Sequence, residues 1–388
     1  MRPTLLASAL VLCCAGSAAA AVDIENWPTK VTFADGTEAA LTGNFNYDVN
    51  NFSDDAALVD KDGMRRKEFG FTLKKKGVYD AMAYFDFQAH TWLDVFFRFE
   101  TKALFGTDAG RVRLGYMKVP VGLEGATSAR ADSFLETSLP IQAIYQARRT
   151  GAEWTFERNA YLLQAGAYGG KDLQGDNPGT TQMLRGVWTP LKAEGNVVHL
   201  GLALSRENLR GHEDGRGVNF GPSARLRARP EAGLTDTRLV DTGALAGADH
   251  IDRTGLEGIW INGPFSLQGE ALSAKVTRNG PRDFSANGQY VFASYVLTGE
   301  SRPYTAGNVG NIKPKHSYGA VELLARYSRL DLDDAGVLGG NEHDWTVGAN
   351  WYLTTHFKFQ ANYVHVDSER RNGSRDPNVV ELRAQVYF

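Results

Sequence analysis

Apolar and polar residues alternate with a period of two along much of this chain. In the last segment, the apolar positions that alternate with more polar residues are Val380, Leu382, Ala384, Val386 and Phe388. The same alternation recurs at residues 93–99, 198–204, 345–353 and 357–363. A period of two places successive side chains on opposite faces of a β-strand. The pattern therefore predicts many strands, each with one apolar face and one more polar face.

The last residue separates two classes of all-β protein that share this alternation. In a soluble sandwich the polar face meets water, whereas in a transmembrane barrel the apolar face meets lipid and closure pairs every backbone group. Here an alternating strand ends on Phe388 with nothing after it. Outer-membrane barrels commonly end this way, because the barrel-assembly machinery reads a final strand with a terminal aromatic residue. We therefore expect a barrel, with that machinery as a partner.

The number of strand-like segments predicts the size of the barrel. About sixteen or seventeen lie between residues 38 and 388, and bacterial single-chain barrels have an even number of strands. We expect an all-β fold, a transmembrane antiparallel β-barrel of sixteen strands, with eighteen as the alternative. A barrel of this size is wide enough to hold an aqueous channel. No linker or low-complexity tract interrupts residues 21–388, which are expected to form a single outer-membrane barrel.

The N-terminal segment predicts export. A basic start is followed by an apolar run at residues 5–14 and by small residues at 15–21, which is the order found in a secretory signal peptide. We place the signal peptide at residues 1–20. A lipoprotein signal that uses Cys13 or Cys14 is disfavoured, because no small residue precedes either one. The mature chain then has no cysteine, which excludes disulfides and thiolate catalysis.

Composition agrees with an alternating membrane barrel but leaves the charge of the lumen open. The chain has 42 Gly, 20 Phe, 15 Tyr and 7 Trp, with a mean hydropathy of −0.33. It carries 42 basic and 45 acidic residues, a net charge of −3. This balance argues against a simple cationic protein, and we expect no nucleic-acid partner. Alternation also turns several acidic residues inward: Asp86, Asp94, Glu270, Glu322 and Glu381.

Motifs for catalysis are absent from the sequence. It contains no HExxH, no GxSxG and no glycine-rich phosphate loop followed by lysine and Ser/Thr. None of the histidines forms a ligand pair at helical spacing. We therefore predict no enzyme, no catalytic residue, no metal site and no cofactor. An outer-membrane lipid hydrolase that pairs serine and histidine across strands remains the enzymatic alternative.

Polar stretches between the strands predict the loops. The clearest are residues 50–63, 171–181, 207–219, 330–341 and 367–378. Residues 120–146 differ from these, because they are neither strongly alternating nor low in hydrophobicity. We expect this segment to fold inward and narrow the lumen. The alternative is an ordinary extracellular loop with a short helix.

A run of alternating arginines is the clearest chemical feature. Arg225, Arg227 and Arg229 share one face of an expected strand, and Leu226 and Ala228 share the other, which we expect to meet lipid. Three arginines facing hydrocarbon would be costly, so they are expected to face the lumen or its aqueous rim. Arginine stays charged and presents a planar fork of donors that suits phosphate oxygens. A ladder of moderate sites also lets an ion pass without trapping it.

Two further arginine pairs are candidates for the lumen. Arg111 and Arg113 share one face of an expected strand. Alternation places Arg66 toward the lumen, and it places the adjacent Arg65 at a strand end or in a bulge.

Several ordered motifs resemble the phosphate-selective porin family, porins O and P. They are MKVPVGLE at residues 117–124, FLETSLP at 134–140, YVLTGESRPY at 295–304 with IKP at 312–314, ARYSRLDLDD at 325–334 and NWYL at 350–353. The likeness covers about residues 37–388, nearly the whole mature chain. It implies a porin barrel of sixteen strands that assembles as a homotrimer and passes anions.

The resemblance also implies roles for particular residues. The alternating arginines of residues 223–230 would line the upper channel, and Arg65 and Arg66 look like the family's paired arginines at the constriction. The family's central lysine has no certain counterpart here, although Lys118 is one candidate. Thr137 departs from the family pattern, in which a basic residue is common at the corresponding position.

We therefore expect an outer-membrane porin that lets small anions, above all phosphate, diffuse into the periplasm. The concentration gradient drives the flux, so no cofactor is needed. Outer-membrane lipid and lipopolysaccharide are its expected surroundings. One alternative is a general porin of weak selectivity, and another is a structural or adhesion barrel with a plugged lumen.

Overall fold

A computed structural model describes residues 30–170, 172–173, 178–213, 216–371 and 373–388 of the protein. The expected signal peptide, residues 1–20, lies outside the described residues. Sixteen long strands make up the main sheet: β1 (Thr37–Ser53), β2 (Lys61–Lys75), β3 (Tyr79–Asp86), β4 (Thr91–Glu100), β5 (Arg111–Lys118), β6 (Arg148–Glu157), β7 (Tyr161–Gly169), β8 (Thr180–Ala193), β9 (Asn196–Asn208), β10 (Ala248–Asn262), β11 (Phe265–Arg278), β12 (Phe284–Val296), β13 (Ala320–Asp334), β14 (Val337–Tyr352), β15 (Phe357–Arg370) and β16 (Asn378–Tyr387).

The sheet closes on itself. Each strand pairs antiparallel with the next along the chain, and β1 also pairs with β16, so that Asn46 lies opposite Gln385 on one side and Arg66 on the other. The predicted barrel of sixteen antiparallel strands is confirmed. Closure matters because hydrocarbon offers no partner to an unpaired strand edge.

The faces of β16 show why alternation produces a membrane barrel. Outward-facing Val380 and Leu382 are 46% and 49% exposed, whereas inward-facing Glu381 and Arg383 are 0% and 2% exposed. Apolar side chains therefore cover the outside, and charged side chains are buried inside the barrel. This arrangement inverts the usual distribution of a water-soluble protein and suits a lipid-facing wall.

The connections differ between the two ends of the barrel. At one end are short turns at residues 76–78, 158–160, 194–195 and 263–264, and at the other are the long connections 119–147 and 209–247. Outer-membrane barrels have short periplasmic turns and longer extracellular loops, which assigns the long-loop end to the outside. Residues 297–319 are the exception, because they form a long connection at the short-turn end.

One predicted loop is wrong. The polar residues of 330–341 were expected to form a loop, but β13 runs to Asp334 and β14 starts at Val337. Ala335 and Gly336 alone make the turn, and both have positive φ, 52° and 84°. Such a two-residue hairpin lets polar strand ends extend beyond the apolar belt.

Three short helices interrupt the connections: α1 (Thr101–Phe105), α2 (Leu123–Ala126) and α3 (Leu139–Ile144). In the part of the chain that the structure describes, no helix is both long and apolar enough to span a membrane.

The connection 119–147 folds into the barrel, as expected for residues 120–146. Its apolar side chains Leu139, Ile141 and Ile144 are buried in one cluster with Leu272 and Tyr290, which face inward from the wall. We call residues 119–147 the inner loop.

The connection 209–247 also packs inside the barrel, which overturns one expectation for the arginine ladder. Leu226 and Ala228 do not meet lipid; they are buried in the same cluster as the inner loop and the wall. Residues 223–230 are a loop segment with only two-residue pieces of strand, not a wall strand. The apolar side of the segment is covered by protein, which leaves its arginines on the opposite side. We call residues 209–247 the ladder loop.

Donors from the wall hold the backbone of the inner loop. Irregular backbone inside a barrel lacks the regular partners of a sheet, so its carbonyls need other donors. Lys358 and Gln360 donate to Asp132 O at 3.0 and 3.3 Å, Asn350 donates to Ser133 O at 2.8 Å, and Arg383 donates to Leu135 O at 2.7 Å. These bonds fix residues 132–135 against β14, β15 and β16.

Two arginine–aspartate pairs have similar geometry, but one is buried inside the barrel and the other is exposed. Their comparison predicts how much a buried pair contributes to stability. Arg383 makes two hydrogen bonds of 2.7 Å to Asp48, with both side chains 1% exposed. Arg206 makes bonds of 2.7 and 2.8 Å to Asp252 on the outer face, with 54% and 38% exposure. Arg383→Ala leaves a buried, unpaired carboxylate and should lower the free energy of unfolding by about 3–5 kcal/mol. Arg206→Ala should cost about 0–1 kcal/mol.

Urea unfolding of the refolded barrels in lipid vesicles, followed by tryptophan fluorescence, measures both losses. Equal losses of unfolding free energy in the two variants would contradict the assignment of Arg383 to a buried, stabilising ion pair.

Candidate functional site: a charged cavity in the lumen

A polar cavity inside the barrel lies between the wall strands β2–β8 and the inner loop. This cavity has a volume of about 600 Å³, and we call it the central cavity. Of the predicted site residues, Arg66, Arg111 and Arg113 line it. Residues 305, 306 and 308, from the connection at the short-turn end, also reach it.

A bulge turns two adjacent arginines into the barrel. Asn46 pairs with Arg66 and Tyr47 pairs with Met64, which leaves Arg65 as the extra residue of β2. Arg65 donates to Glu136 of the inner loop at 2.7 Å, and Arg66 donates to Glu68 at 2.9 Å. Of the two positions predicted for Arg65, a strand end or a bulge, the structure has the bulge. The bulge explains how neighbours that would otherwise alternate both reach the interior.

Most arginines of the central cavity are paired with carboxylates. The pairs are Arg98–Asp80 at 2.7 Å, Arg111–Glu157 at 3.5 Å, Arg113–Glu153 at 2.9 Å, Arg148–Asp94 at 2.9 Å and Arg185–Glu257 at 2.6 Å. A paired arginine contributes a dipole rather than a free charge, so its long-range attraction for an anion is small. The predicted site residues Arg111 and Arg113 belong to this group.

Two cations of the cavity pair with no Asp or Glu side chain among the described residues. Lys118 donates from Nζ to Thr127 O. Arg130 donates to Phe388 O at 2.9 Å and to Thr42 Oγ1, and its guanidinium lies 5.3 Å from the centre of the Tyr84 ring. Both residues line the cavity. Lys118 was one candidate for the central lysine, whereas Arg130 was missed, because an isolated arginine in an irregular segment gives no periodic signal.

The ladder loop carries a second group of cations. Arg225 is paired with Asp241 by two hydrogen bonds, whereas Arg227 has no ion-pair partner in the described part of the chain. Arg229 lies 3.7 Å from Asp236, a carboxylate that is 97% exposed. The fourth member, Arg238, was not predicted from the sequence.

Mutual repulsion in this group is visible in its acid–base properties. Burial, together with the charges of Arg229 and Arg227, lowers the pKa of Arg238 to about 10. Burial and the nearby Arg65 likewise lower the pKa of Arg229. Burial is the larger cause of both shifts, and the neighbouring arginines add to it, so an added anion would stabilise the charged forms. We call Arg227, Arg229 and Arg238 the ladder cluster.

Contacts join the ladder loop to the inner loop. The backbone N–H of Arg229 donates to Gln142 Oε1 at 3.0 Å. At Gly233, a Cβ would lie 2.4 Å from Glu136 Oε1 and 2.8 Å from Arg65 Nε. The ladder loop therefore rests directly on the Arg65–Glu136 pair, which places the ladder cluster at the long-loop end of the same lumen.

The connection 297–319 narrows the lumen from the opposite end. Arg302 bonds to Glu322 of the wall and donates to Ser133 Oγ of the inner loop at 2.9 Å. Tyr304 Oη lies 2.8 Å from His199 Nδ1, and Thr127 Oγ1 donates to Asn308 Oδ1 at 2.6 Å. Sequence reasoning used this segment only as a family motif and did not predict its inward fold.

Within the described ranges, no three or more His, Cys, Asp or Glu side chains are arranged to hold a metal ion.

A closed barrel with an apolar exterior, a charged lumen and inward-folded loops defines the class of outer-membrane porins. Residues 40–388 match the family model described as phosphate-selective porin O and P. The chain belongs to this family of porins, and its location is the bacterial outer membrane. The resemblance seen in the sequence motifs is thereby confirmed.

Two curated relatives give the extent of the similarity. Porin O of Pseudomonas aeruginosa is 30% identical over 234 residues, 53% of this chain and 52% of that protein. An uncharacterized protein of Caulobacter vibrioides is 27% identical over 290 residues, 69% of this chain and 57% of that protein. The chain thus spans just over half the length of the curated relatives it matches.

Solved structures share the fold at low sequence identity. The trimer form of OmpT, an outer membrane protein of Vibrio cholerae, gives a TM-score of 0.59 at 11% identity, over 91% of this chain and 99% of that one. An anion-selective porin from Comamonas acidovorans gives 0.56 at 14% identity, over 91% and 100%.

The Arg65–Glu136 ion pair holds the inner loop against β2, and we expect its contribution to stability to depend on pH. Burial raises the pKa of Glu136, but Arg65 and Arg383 outweigh it and hold this pKa at about 2, below the usual 4.5. An ion pair that depresses the pKa of a carboxyl group stabilises the fold fully above pH 4.5. This contribution is lost as the pH falls toward 2. The shift corresponds to about 3 kcal/mol. Glu136→Gln should therefore be less stable than the native protein at pH 7 and equally stable near pH 2.

Urea unfolding at a series of pH values tests this dependence. The exposed Glu369→Gln provides a control that should show no such difference. If the difference in free energy of unfolding between Glu136→Gln and the native protein stayed constant from pH 7 to pH 2, it would contradict a stabilising role of the ionised Glu136.

Proposed function

We propose that this porin is a passive channel for small anions, phosphate above all, and that it is not an enzyme. The observation that carries the proposal is the set of cations without a full carboxylate partner: the ladder cluster, then Lys118 in the central cavity. An anion that enters from the long-loop end meets the cluster first and the cavity second. Each of these sites replaces part of the hydration shell of the ion without binding it tightly.

The proposed pore lining includes every arginine predicted from the sequence: Arg65, Arg66, Arg111, Arg113, Arg225, Arg227 and Arg229. Their roles differ. Arg227 and Arg229 attract the anion, whereas the paired arginines shape the path and provide hydrogen-bond donors along it. The names of Porin O and of the anion-selective porin from Comamonas support this choice of solute.

We propose a homotrimer as the working form, embedded in outer-membrane lipid and lipopolysaccharide and inserted by the barrel-assembly machinery. The trimer form of OmpT, which shares the fold, supports this assembly. Closed cyclic symmetry is also the common arrangement for assemblies of identical chains.

A general porin of weak selectivity is the second candidate. The extensive pairing of cavity arginines with carboxylates favours it, because a paired lining discriminates little between ions of opposite sign. The two candidates differ in whether the ladder cluster dominates the field along the pore. A plugged structural barrel differs from both, since it would conduct no current.

Removing Arg227 tests the proposal. We expect the native channel to show an anion-selective reversal potential across a chloride gradient in a planar bilayer, with current reduced by added phosphate. Arg227→Ala should move the reversal potential toward zero and weaken the block by phosphate about fivefold, because one charge contact in water contributes about 1 kcal/mol.

Two control variants separate local attraction from total charge. Arg206→Ala removes the same charge from the outer face and should change neither quantity. Arg225→Gln combined with Asp241→Asn removes a neutral pair and should have little effect. Cation selectivity of the native channel would refute the proposed solute, and an absence of current from folded protein would indicate the plugged barrel.

A further inference from the structure

One carboxylate of the central cavity differs from all the others. Asp132 lies on the inner loop and lines the cavity. Its backbone carbonyl accepts hydrogen bonds from Lys358 Nζ at 3.0 Å and Gln360 Nε2 at 3.3 Å, and Lys358 also holds Arg130 O at 3.1 Å. The wall therefore fixes the backbone on both sides of this side chain, which limits how far the carboxylate can move.

The other cavity carboxylates are occupied. Glu68 accepts from Arg66 and Asn44, Asp94 from Arg148, Glu124 from Ser138, and Glu153 from Arg113. Within the described ranges, the carboxylate of Asp132 accepts no hydrogen bond and forms no ion pair. Its oxygens are therefore free acceptors that face the space through which a solute passes.

The electrostatic surroundings of Asp132 come from several elements. Burial raises the pKa of Asp132 above its usual value, although Arg66 of β2, Lys118 of β5, Lys358 of β15 and Arg383 of β16 oppose the rise. Glu124 of the inner loop acts as a like charge. Cations thus predominate around this carboxylate. An ionised carboxylate can accept hydrogen bonds but cannot donate one.

Two ionisable side chains of the cavity have no counter-ion partner in the described part of the chain: the cation Lys118 and the acceptor Asp132. An oxyanion beside Lys118 would also meet the free carboxylate. Phosphate keeps at least one hydroxyl group throughout the neutral range and can donate it to Asp132. Sulfate has no hydroxyl group there, so it would place oxygen lone pairs against the carboxylate. Sites that provide a polar partner reject solutes that cannot pair with it.

We propose that Asp132 is a specificity-determining residue that favours oxyanions carrying a hydroxyl proton over those without one. The class includes inorganic phosphate and singly protonated phosphate monoesters, and it excludes sulfate. This inference rests on the proposed function, because it requires that anions enter the cavity. It adds a reason for discrimination that positive charge alone does not supply.

Block of single-channel current by phosphate and by sulfate, at equal ionic strength and pH 7, gives the first test. The native channel should be blocked about tenfold more strongly by phosphate than by sulfate, as one hydrogen bond gained or lost would produce. In Asp132→Asn the amide can donate as well as accept, so block by sulfate should strengthen until the ratio approaches one. Asp331→Asn, which removes the same charge from the outer face of β13, should keep the native ratio.

Methyl phosphate gives a second test that needs no variant. The second ionisation of a phosphate monoester has a pKa of about 6, so the probe carries a hydroxyl proton at pH 5 and none at pH 8. In the native channel it should block as phosphate does at pH 5 and as sulfate does at pH 8. Sulfate measured at both pH values corrects for any titration of the protein itself.

The outcomes separate this inference from the proposed function. If Asp132→Asn strengthened the block by phosphate and by sulfate equally, the ratio of the two would be unchanged. Such a result would show that Asp132 is not a selective acceptor and would overturn the inference. The inference would also be overturned if phosphate and sulfate blocked the native channel equally and the block by methyl phosphate did not change between pH 5 and pH 8. A cation-selective reversal potential would refute the proposed function itself.

Discussion

Closure of the sheet between β1 and β16 is the constraint on which the rest of the structure depends. Lipid cannot satisfy a backbone N–H or C=O group, so a sheet in the membrane must have no free edge. Once sixteen strands close, alternation sends one face of each strand to lipid and the other to the interior. The interior is too wide for wall side chains to fill, and loops must define the path. The inner loop and the ladder loop do so by burying their apolar sides against the wall and against each other.

The selectivity of such a lumen depends on unpaired charge rather than on total charge. The chain carries 42 basic and 45 acidic residues, a net charge of −3. That excess of acid would suggest a preference for cations if charge acted in bulk. Instead, many of the acidic side chains inside the barrel neutralise neighbouring arginines, as Glu153 does for Arg113 and Asp94 for Arg148. The remaining cations lie along the proposed path, where an unpaired charge acts over about 8 Å in physiological salt.

The parts of the fold that follow from local periodicity could be predicted from the sequence. Alternation in β16 predicted both faces of that strand. Alternation around Arg66 restricted the adjacent Arg65 to a strand end or a bulge, and the structure has the bulge. The inward fold of the inner loop followed from its hydrophobicity, which an exposed loop would not need. In each case the signal lies within a few residues of the feature.

Features that depend on contacts distant in the sequence could not be predicted. Alternation around Arg227 is the same whether Leu226 faces lipid or the core of a loop, so period two alone could not identify the partner of that apolar side. Arg130 and Asp132 matter because of groups that surround them in the fold, among them Lys358 and Phe388, which are more than 220 residues away. A single sequence therefore describes the wall of such a channel better than its lining. The lining depends on irregular loops, whose positions are set by side-chain donors on the wall and not by any pattern of their own.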